Sequence, residues 1–153
     1  MISGVKFVSL YENSGYGIAA KLYLKALLNS DIEITWTPMV GEKSLGMTYE
    51  PYQEKSIGEH ELDLICNKPI GYDTVLVHTI PEFYTYWREQ EPNKYLIGYT
   101  VWETTKPPDH WKELINQLDH LLVPTEWNRT VFREHGITIP IDVIPHMSEF
   151  EGK

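Results

Sequence analysis

The sequence predicts an α/β fold: a single domain with a Rossmann-like parallel sheet and helices on both faces. Three observations carry that prediction. Between Tyr95 and His146 the pattern runs strand, helix, strand, helix, strand, which calls for right-handed crossovers and parallel pairing. The opening run Val5-Lys6-Phe7-Val8-Ser9-Leu10-Tyr11 is mostly apolar, as a strand covered on both sides should be, and leads through a glycine turn into strong helix formers. At 153 residues the chain has the length of one domain, enough to bury roughly 70% of its unfolded surface. In such a sheet, ligands gather beyond the carboxyl ends of the strands. In the Tyr95–His146 stretch those ends carry Trp102-Glu103, Thr125-Glu126 and Pro145-His146.

Taken in order, the opening strand runs into Glu12-Asn13-Ser14-Gly15-Tyr16-Gly17, a turn cluster. Ile18 to Leu28 predicts a helix, with Ile18, Leu22 and Ala26 as one apolar stripe and Tyr23 and Leu27 beside it. Ile32-Glu33-Ile34-Thr35-Trp36 alternates, which places the second strand nearer the sheet edge. From Thr37 to Lys55, Pro38, Gly41, Gly46 and Pro51 punctuate a polar stretch that reads as a long loop. Ile57 to Asn67 predicts a short helix, and Thr74-Val75-Leu76-Val77-His78 a short buried strand ending on histidine. Pro81 suits the first turn of a helix reaching Glu91, and Tyr95 to Trp102 makes the fourth strand.

Asp109 is the expected N-cap of a helix over His110 to Leu118, whose apolar face is Trp111, Leu114, Ile115 and Leu118. Thr125 caps the next helix, which turns Trp127, Val131 and Phe132 to the sheet and stops at Gly136. Ile141 to Pro145 is the last strand. Residues 1–146 are read as the domain and the polar 147–153 as the start of a linker.

Composition removes several function classes. With 22 acids against 13 bases the formal net charge is -9, which argues against nucleic acid, whose phosphates need clustered Lys and Arg, and against anionic membrane surfaces. No apolar run approaches the ~20 residues that span a bilayer. Met1-Ile2-Ser3-Gly4 leads straight into a strand and reads as no signal peptide; with Cys66 the only cysteine, a reducing cytoplasm is expected. The six histidines are scattered without a His-x-x-x-His pair, so no metal site is expected. A Gly-x-Ser-x-Gly elbow and a phosphate loop ending in Gly-Lys-Ser/Thr are both lacking.

What remains lies at strand ends. Gly15-x-Gly17-x-x-Ala20 matches a loose dinucleotide fingerprint, yet the second strand ends Trp36-Thr37-Pro38 without the acid that would hold a ribose. The same glycines also fit a plain tight turn, or an anion or sugar site at a helix N-terminus. His78 is either a satisfied structural group or a donor to a sugar hydroxyl or developing phosphate charge. A site role predicts that His78→Ala lowers turnover far more than stability. Glu103 is either a solvated carboxylate or a site residue; Glu126 has an adequate account in the helix dipole. His146 is open between a site and a hinge. Ten Tyr and five Trp supply core, and near strand ends also suit sugar-stacking surfaces.

Together, Gly98-Tyr99-Thr100-Val101-Trp102-Glu103, Pro108-Asp109-His110-Trp111, and Leu118 through Asn128 resemble the amino-terminal domain of GT-B glycosyltransferases of the "group 1" type. Gly136-Ile137 and Pro140-Ile141-Asp142-Val143-Ile144-Pro145-His146 continue the resemblance, as do the Ser14-Gly15-Tyr16-Gly17 turn and the Val75-Leu76-Val77-His78 strand. The resemblance leaves Thr37 to Asp73 unplaced, and Met147 stands where the family has glycine after Pro-His.

The resemblance implies a retaining transferase moving a sugar from a nucleotide-diphosphate donor, with no further cofactor, to an acceptor in a cleft between two Rossmann-like domains. It implies that Gly15, Tyr16 and Gly17 approach donor phosphates or the transferred sugar. It places His78 near the reacting centre and Glu103 at the rim. The partner would be a carboxy-terminal nucleotide-sugar domain, on the same longer chain or a separate subunit, and without it this chain is expected to be inactive. The competing expectations are a non-catalytic binding or scaffold module and a nucleotide-cofactor oxidoreductase fragment.

Overall fold

The opening apolar run becomes β1 (Gly4–Leu10), buried along nearly its whole length, in the interior of a seven-strand sheet. The computed structural model describes residues 3–12, 15–41 and 49–145. After β1 come α1 (Gly15–Leu28), β2 (Glu33–Val40), the two-residue β3 (Glu50–Pro51) and a 3-10 turn at His60–Leu64. β4 (Thr74–His78), a 3-10 turn at Pro81–Phe83, α2 (Tyr84–Gln90) and β5 (Tyr95–Tyr99) follow. The chain then forms α3 (Trp111–Asn116), β6 (His120–Val123), α4 (Glu126–Glu134) and β7 (Ile141–Val143). The expected helix from Pro81 is present, its first turn tightened to 3-10 geometry.

The strand order is β3-β2-β1-β4-β5-β6-β7, parallel throughout except for β3. From β1 the chain first builds outward to β2 and β3, then returns to lay β4 on the other side of β1. The order therefore reverses between β1 and β4, and the crevice beyond their carboxyl ends is the topological switch point.

The two faces are covered unequally. On one, α1 and the segment around Leu62 to Cys66 bury Val5, Phe7, Ile34 and Trp36. On the other, α2, α3 and α4 bury Val8, Val75, Val77, Leu96, Leu121 and Val123. Gly98 makes that packing possible, since a Cβ there would lie 2.5 Å from Leu118 Cδ1 and 2.8 Å from the Tyr84 ring. On the α1 side, α1 covers β5 only at its carboxyl end, where Tyr23 meets Tyr99. Ile97 and Leu122 are only half-buried on that side, and Tyr95 and Ile144 are 45% and 38% exposed.

Several local expectations are corrected. The stripe Ile18, Leu22 and Ala26 is not the buried one: Ile18 is 55% exposed and Ala26 is exposed, while Ala20 and Leu24 are fully buried. α1 is apolar on more than one side, and the small Gly17 and Ala20 let that flank approach the sheet most closely. β2 is longer than expected and buried on both faces, because Trp36 exchanges backbone bonds with Ile65 and Asn67. The Thr37–Lys55 loop is partly strand: Pro38 stays in β2, its carbonyl accepts from Tyr52, and Pro51 sits on the sheet edge where its missing N–H costs nothing.

The helix expected over Ile57–Asn67 shrinks to the 3-10 turn. The Asp63 carboxylate instead gathers the amides of Ile57 and Gly58 and the Ser56 hydroxyl. Asp109 is not an N-cap; α3 begins after His110 without a side-chain cap, and Asp109 lies exposed beside Lys106. Thr125 does cap α4, accepting from the Asn128 amide at 3.1 Å, and Gly136 ends it at φ +87°. Trp127, expected to face the sheet, is 45% exposed, and Asn128 is buried in its stead. His146 and the linker residues 147–153 lie outside the described residues, as do Asn13 and Ser14.

Candidate functional site

β1 and β4 end side by side, with Ser9 paired to His78 and His78 paired in turn to Tyr99 of β5. Parallel strands in register thus bring the glycine turn, the histidine and the loop after β5 to one edge.

Gly17 packs rather than merely turns. A Cβ on it would stand 1.9 Å from the Glu12 carbonyl oxygen, so the start of α1 is pressed against the backbone leaving β1. Gly15 is the first residue of α1. The Glu12 carboxylate accepts from the Tyr49 hydroxyl at 2.6 Å; burial, then that carboxylate, pushes the Tyr49 phenol up to about 12. Tyr16 spans the crevice: its hydroxyl shares a hydrogen bond with Thr100 Oγ1 at 3.0 Å and accepts from the Val101 amide at 3.3 Å. Burial raises the Tyr16 phenol above its ordinary value, those two bonds oppose the rise, and the charges of Glu82 and Glu103 add to it.

His78 is only 1% exposed. Its ring stacks on Tyr99 at 4.5 Å and 11° and on Phe7 at 6.1 Å and 21°, with Tyr16 and Tyr23 each 5.8 Å away. In this conformation the imidazole is inside an aromatic box and does not face the open edge. Tyr23 and Tyr99 close that box with paired hydroxyls at 3.2 Å. Tyr99 donates to the Ile144 carbonyl at 3.0 Å, and Tyr23 lies against the carbonyls of Ile144 and Pro145. Burial, then the Tyr23 hydroxyl, drives the Tyr99 phenol far above its ordinary value, so it remains a donor. The chain leaving β7 is thereby tied across the histidine.

Glu103 is exposed on the loop after β5 and has no hydrogen bond or ion pair among the described residues. Its loop is nonetheless fixed. The Trp102 amide donates to Asn128 Oδ1 at 2.8 Å, and the Trp102 indole donates to Thr104 Oγ1 at 2.7 Å and to the Lys106 carbonyl at 3.0 Å. Asn128 also donates to the capping Thr125 at 2.8 Å, so one buried amide joins the α4 N-terminus to the Glu103 loop. Sequence reading passed over Asn128; a polar residue at an apolar helix position was the available signal. It also missed Glu82, whose Oε2 pairs with His110 Nε2 at 2.6 Å and accepts from the Trp111 indole at 2.9 Å. Burial works against ionisation of Glu82, but the bonds from His110 and Trp111 outweigh it and hold its carboxyl below the usual range. Glu126 lies in the first turn of α4, where the helix dipole was expected to account for it, and also pairs with Arg129 at 3.0 Å.

The edge therefore carries the carboxylates of Glu12, Glu82 and Glu103, and the charges of the last two raise the Tyr16 phenol. Across the described residues of the loops after β1, β4, β5, β6 and β7, Lys106 is the only lysine or arginine. Such a surface accepts hydrogen bonds from sugar hydroxyls well and grips a diphosphate poorly. Among the described residues no group of three or more His, Cys, Asp and Glu is arranged to hold a metal, and no helix is long and apolar enough to cross a membrane. Compared with family models, curated proteins and solved structures, the chain matches none.

Proposed function

We propose that this chain is the acceptor-side domain of a retaining glycosyltransferase that moves a sugar from a nucleotide-diphosphate sugar to an acceptor. The observation that carries the reading is the convergence of the α1 glycine turn, the end of β4 and the Glu103 loop at the switch point of a parallel sheet. Glu103 and Glu82 line the acceptor side, Tyr16 holds the two walls of the crevice together, and His78 acts from behind it through Tyr16, Tyr23 and Tyr99. Gly15 and Gly17 set the closeness of α1 to the reacting sugar.

Donor phosphates are gripped by a second, nucleotide-sugar-binding domain, in the same longer protein or on a partner subunit. The acidic, cation-poor edge supports that division. The reaction runs in the cytoplasm, needs no further cofactor, and involves neither nucleic acid nor membrane surface.

A second reading, a non-catalytic Rossmann-like binding or scaffold module, draws on one specific observation: His78, Tyr16 and Gly17 all have structural work in this fold. Calorimetry separates the two from donor chemistry on this chain alone. The isolated chain is expected to bind nucleotide-diphosphate sugars no tighter than the millimolar range. Micromolar binding by the chain itself would place the diphosphate grip here and overturn the acceptor-side assignment.

A further inference from the structure

Away from the switch point, on the face carrying α2, a cavity of about 190 Å³ opens between α2 and the β3 edge. It sits over the amino-terminal half of β1, at Lys6, and beside the last turn of α2, at Gln90 and Glu91. It therefore lies toward the opposite end of the strands from Gly17 and Glu103.

Its lining holds an ion pair largely removed from solvent: Lys6 Nζ donates to Glu91 Oε2 at 2.9 Å, with side chains 19% and 12% exposed. The ammonium also lies 5.0 Å from the centroid of Trp87, and the Tyr72 hydroxyl donates to the same Glu91 oxygen at 2.8 Å. Desolvation offsets most of the attraction in such a pair, so it is a poor device for stability alone. As a cavity wall it has a clear chemical consequence. The charges cancel, so a phosphate or carboxylate drawn to Lys6 would meet Glu91 beside it, and a neutral ligand is favoured.

The rest of the lining defines that ligand further. The Gln90 amide and the Tyr86 hydroxyl have no hydrogen-bond partner among the described residues, and Tyr86 is 40% exposed. Gln53 uses only its amide N–H, toward Pro51. Tyr86 is the aromatic side chain exposed at the rim, while Trp87 lies buried beneath the Lys6 ammonium. Amides and hydroxyls around a charge-neutral wall, with the Tyr86 ring at the rim, match a polyhydroxylated ring, whose hydroxyls both donate and accept and whose one C–H face can pack on that aromatic. The volume is below the roughly 300–1,000 Å³ of drug-sized ligand sites, which limits the occupant to one ring. We propose that this cavity is a binding site for a single neutral monosaccharide, separate from the cleft at the switch point. The assignment stands on the cavity alone and does not require the transferase reading.

The test is saturation-transfer NMR on the whole chain with free neutral hexoses and N-acetylhexosamines, using glucuronate and inorganic phosphate as charged comparators. Lys6→Met would strand Glu91 in a buried site, so the rim variants Gln90→Ala and Tyr86→Ala carry the experiment. Transfer from at least one neutral sugar is expected, with binding weakened about tenfold or more in each rim variant and unchanged in the remote Glu113→Ala. No transfer from any neutral sugar, equal transfer in the rim variants, or preference for glucuronate or phosphate would each overturn the proposal. None of those results bears on the cleft, whose donor chemistry is measured by transfer from nucleotide sugars.

Discussion

Gly17→Ala is expected to destabilise the chain by roughly 3 kcal/mol, above the middle of the range for overpacking a filled site. The added methyl would sit 1.9 Å from the Glu12 oxygen, 2.9 Å from its carbonyl carbon and 3.2 Å from its nitrogen, all backbone atoms that cannot swing aside. Two relaxations are open. Either α1 backs away and lifts Ala20 and Leu24 out of the cluster they form with Phe7 and Trp36, or the turn opens and pulls Glu12 from Tyr49. Denaturant unfolding measures the loss. A cost below about 1 kcal/mol would mean the turn yields freely and that Gly17 is there for a ligand rather than for packing. Activity alone would not separate these, since either relaxation also moves the helix start that faces the cleft.

His78→Ala is expected to cost about 2–4 kcal/mol, in the manner of other large-to-small core substitutions. The ring fills the space between Phe7 and Tyr99, and removing it leaves Tyr23 and Tyr99 without the surface that supports their hold on Ile144. This revises the sequence expectation that turnover would fall far more than stability. A ring that is 1% exposed cannot be deleted without touching the core, so both quantities should fall together. Thermal or denaturant unfolding beside a turnover assay checks it. Stability unchanged within about 0.5 kcal/mol, with turnover abolished, would show that the box repacks and that the imidazole itself acts.

The contrast between these residues and Glu103 shows how far sequence carries. Strand and helix order was legible because β1, β4 and β6 are short apolar runs bounded by turn residues, and because Thr125 and Gly136 bracket α4 with cap chemistry. The edge where function gathers followed from parallel order. What stayed hidden was side-chain direction. α1 has apolar residues on several sides, so periodicity favoured Ile18 over Ala20. Asn128 and Trp127 exchanged roles because a buried amide was needed to hold the Trp102 backbone. Asp109 resembled a cap by residue type, but the Trp111 amide donates to the Pro108 carbonyl instead. His78 was placed correctly at a strand end, yet its burial depends on Phe7, Tyr16, Tyr23 and Tyr99 converging from distant segments, which no local pattern records. The Glu82–His110 pair is likewise a contact across 28 positions of sequence.

The most direct test of the acceptor-side assignment is sugar transfer and donor hydrolysis over a panel of nucleotide-diphosphate sugars. It compares the 153-residue chain with the same chain joined to, or mixed with, a nucleotide-sugar-binding half from its coding frame or a co-purifying partner. The account predicts transfer with retained anomeric configuration in the joined form only, and a marked fall in that transfer when Glu103 is changed to Gln. Transfer by the 153-residue chain alone, or none from any donor in the joined form, would contradict it.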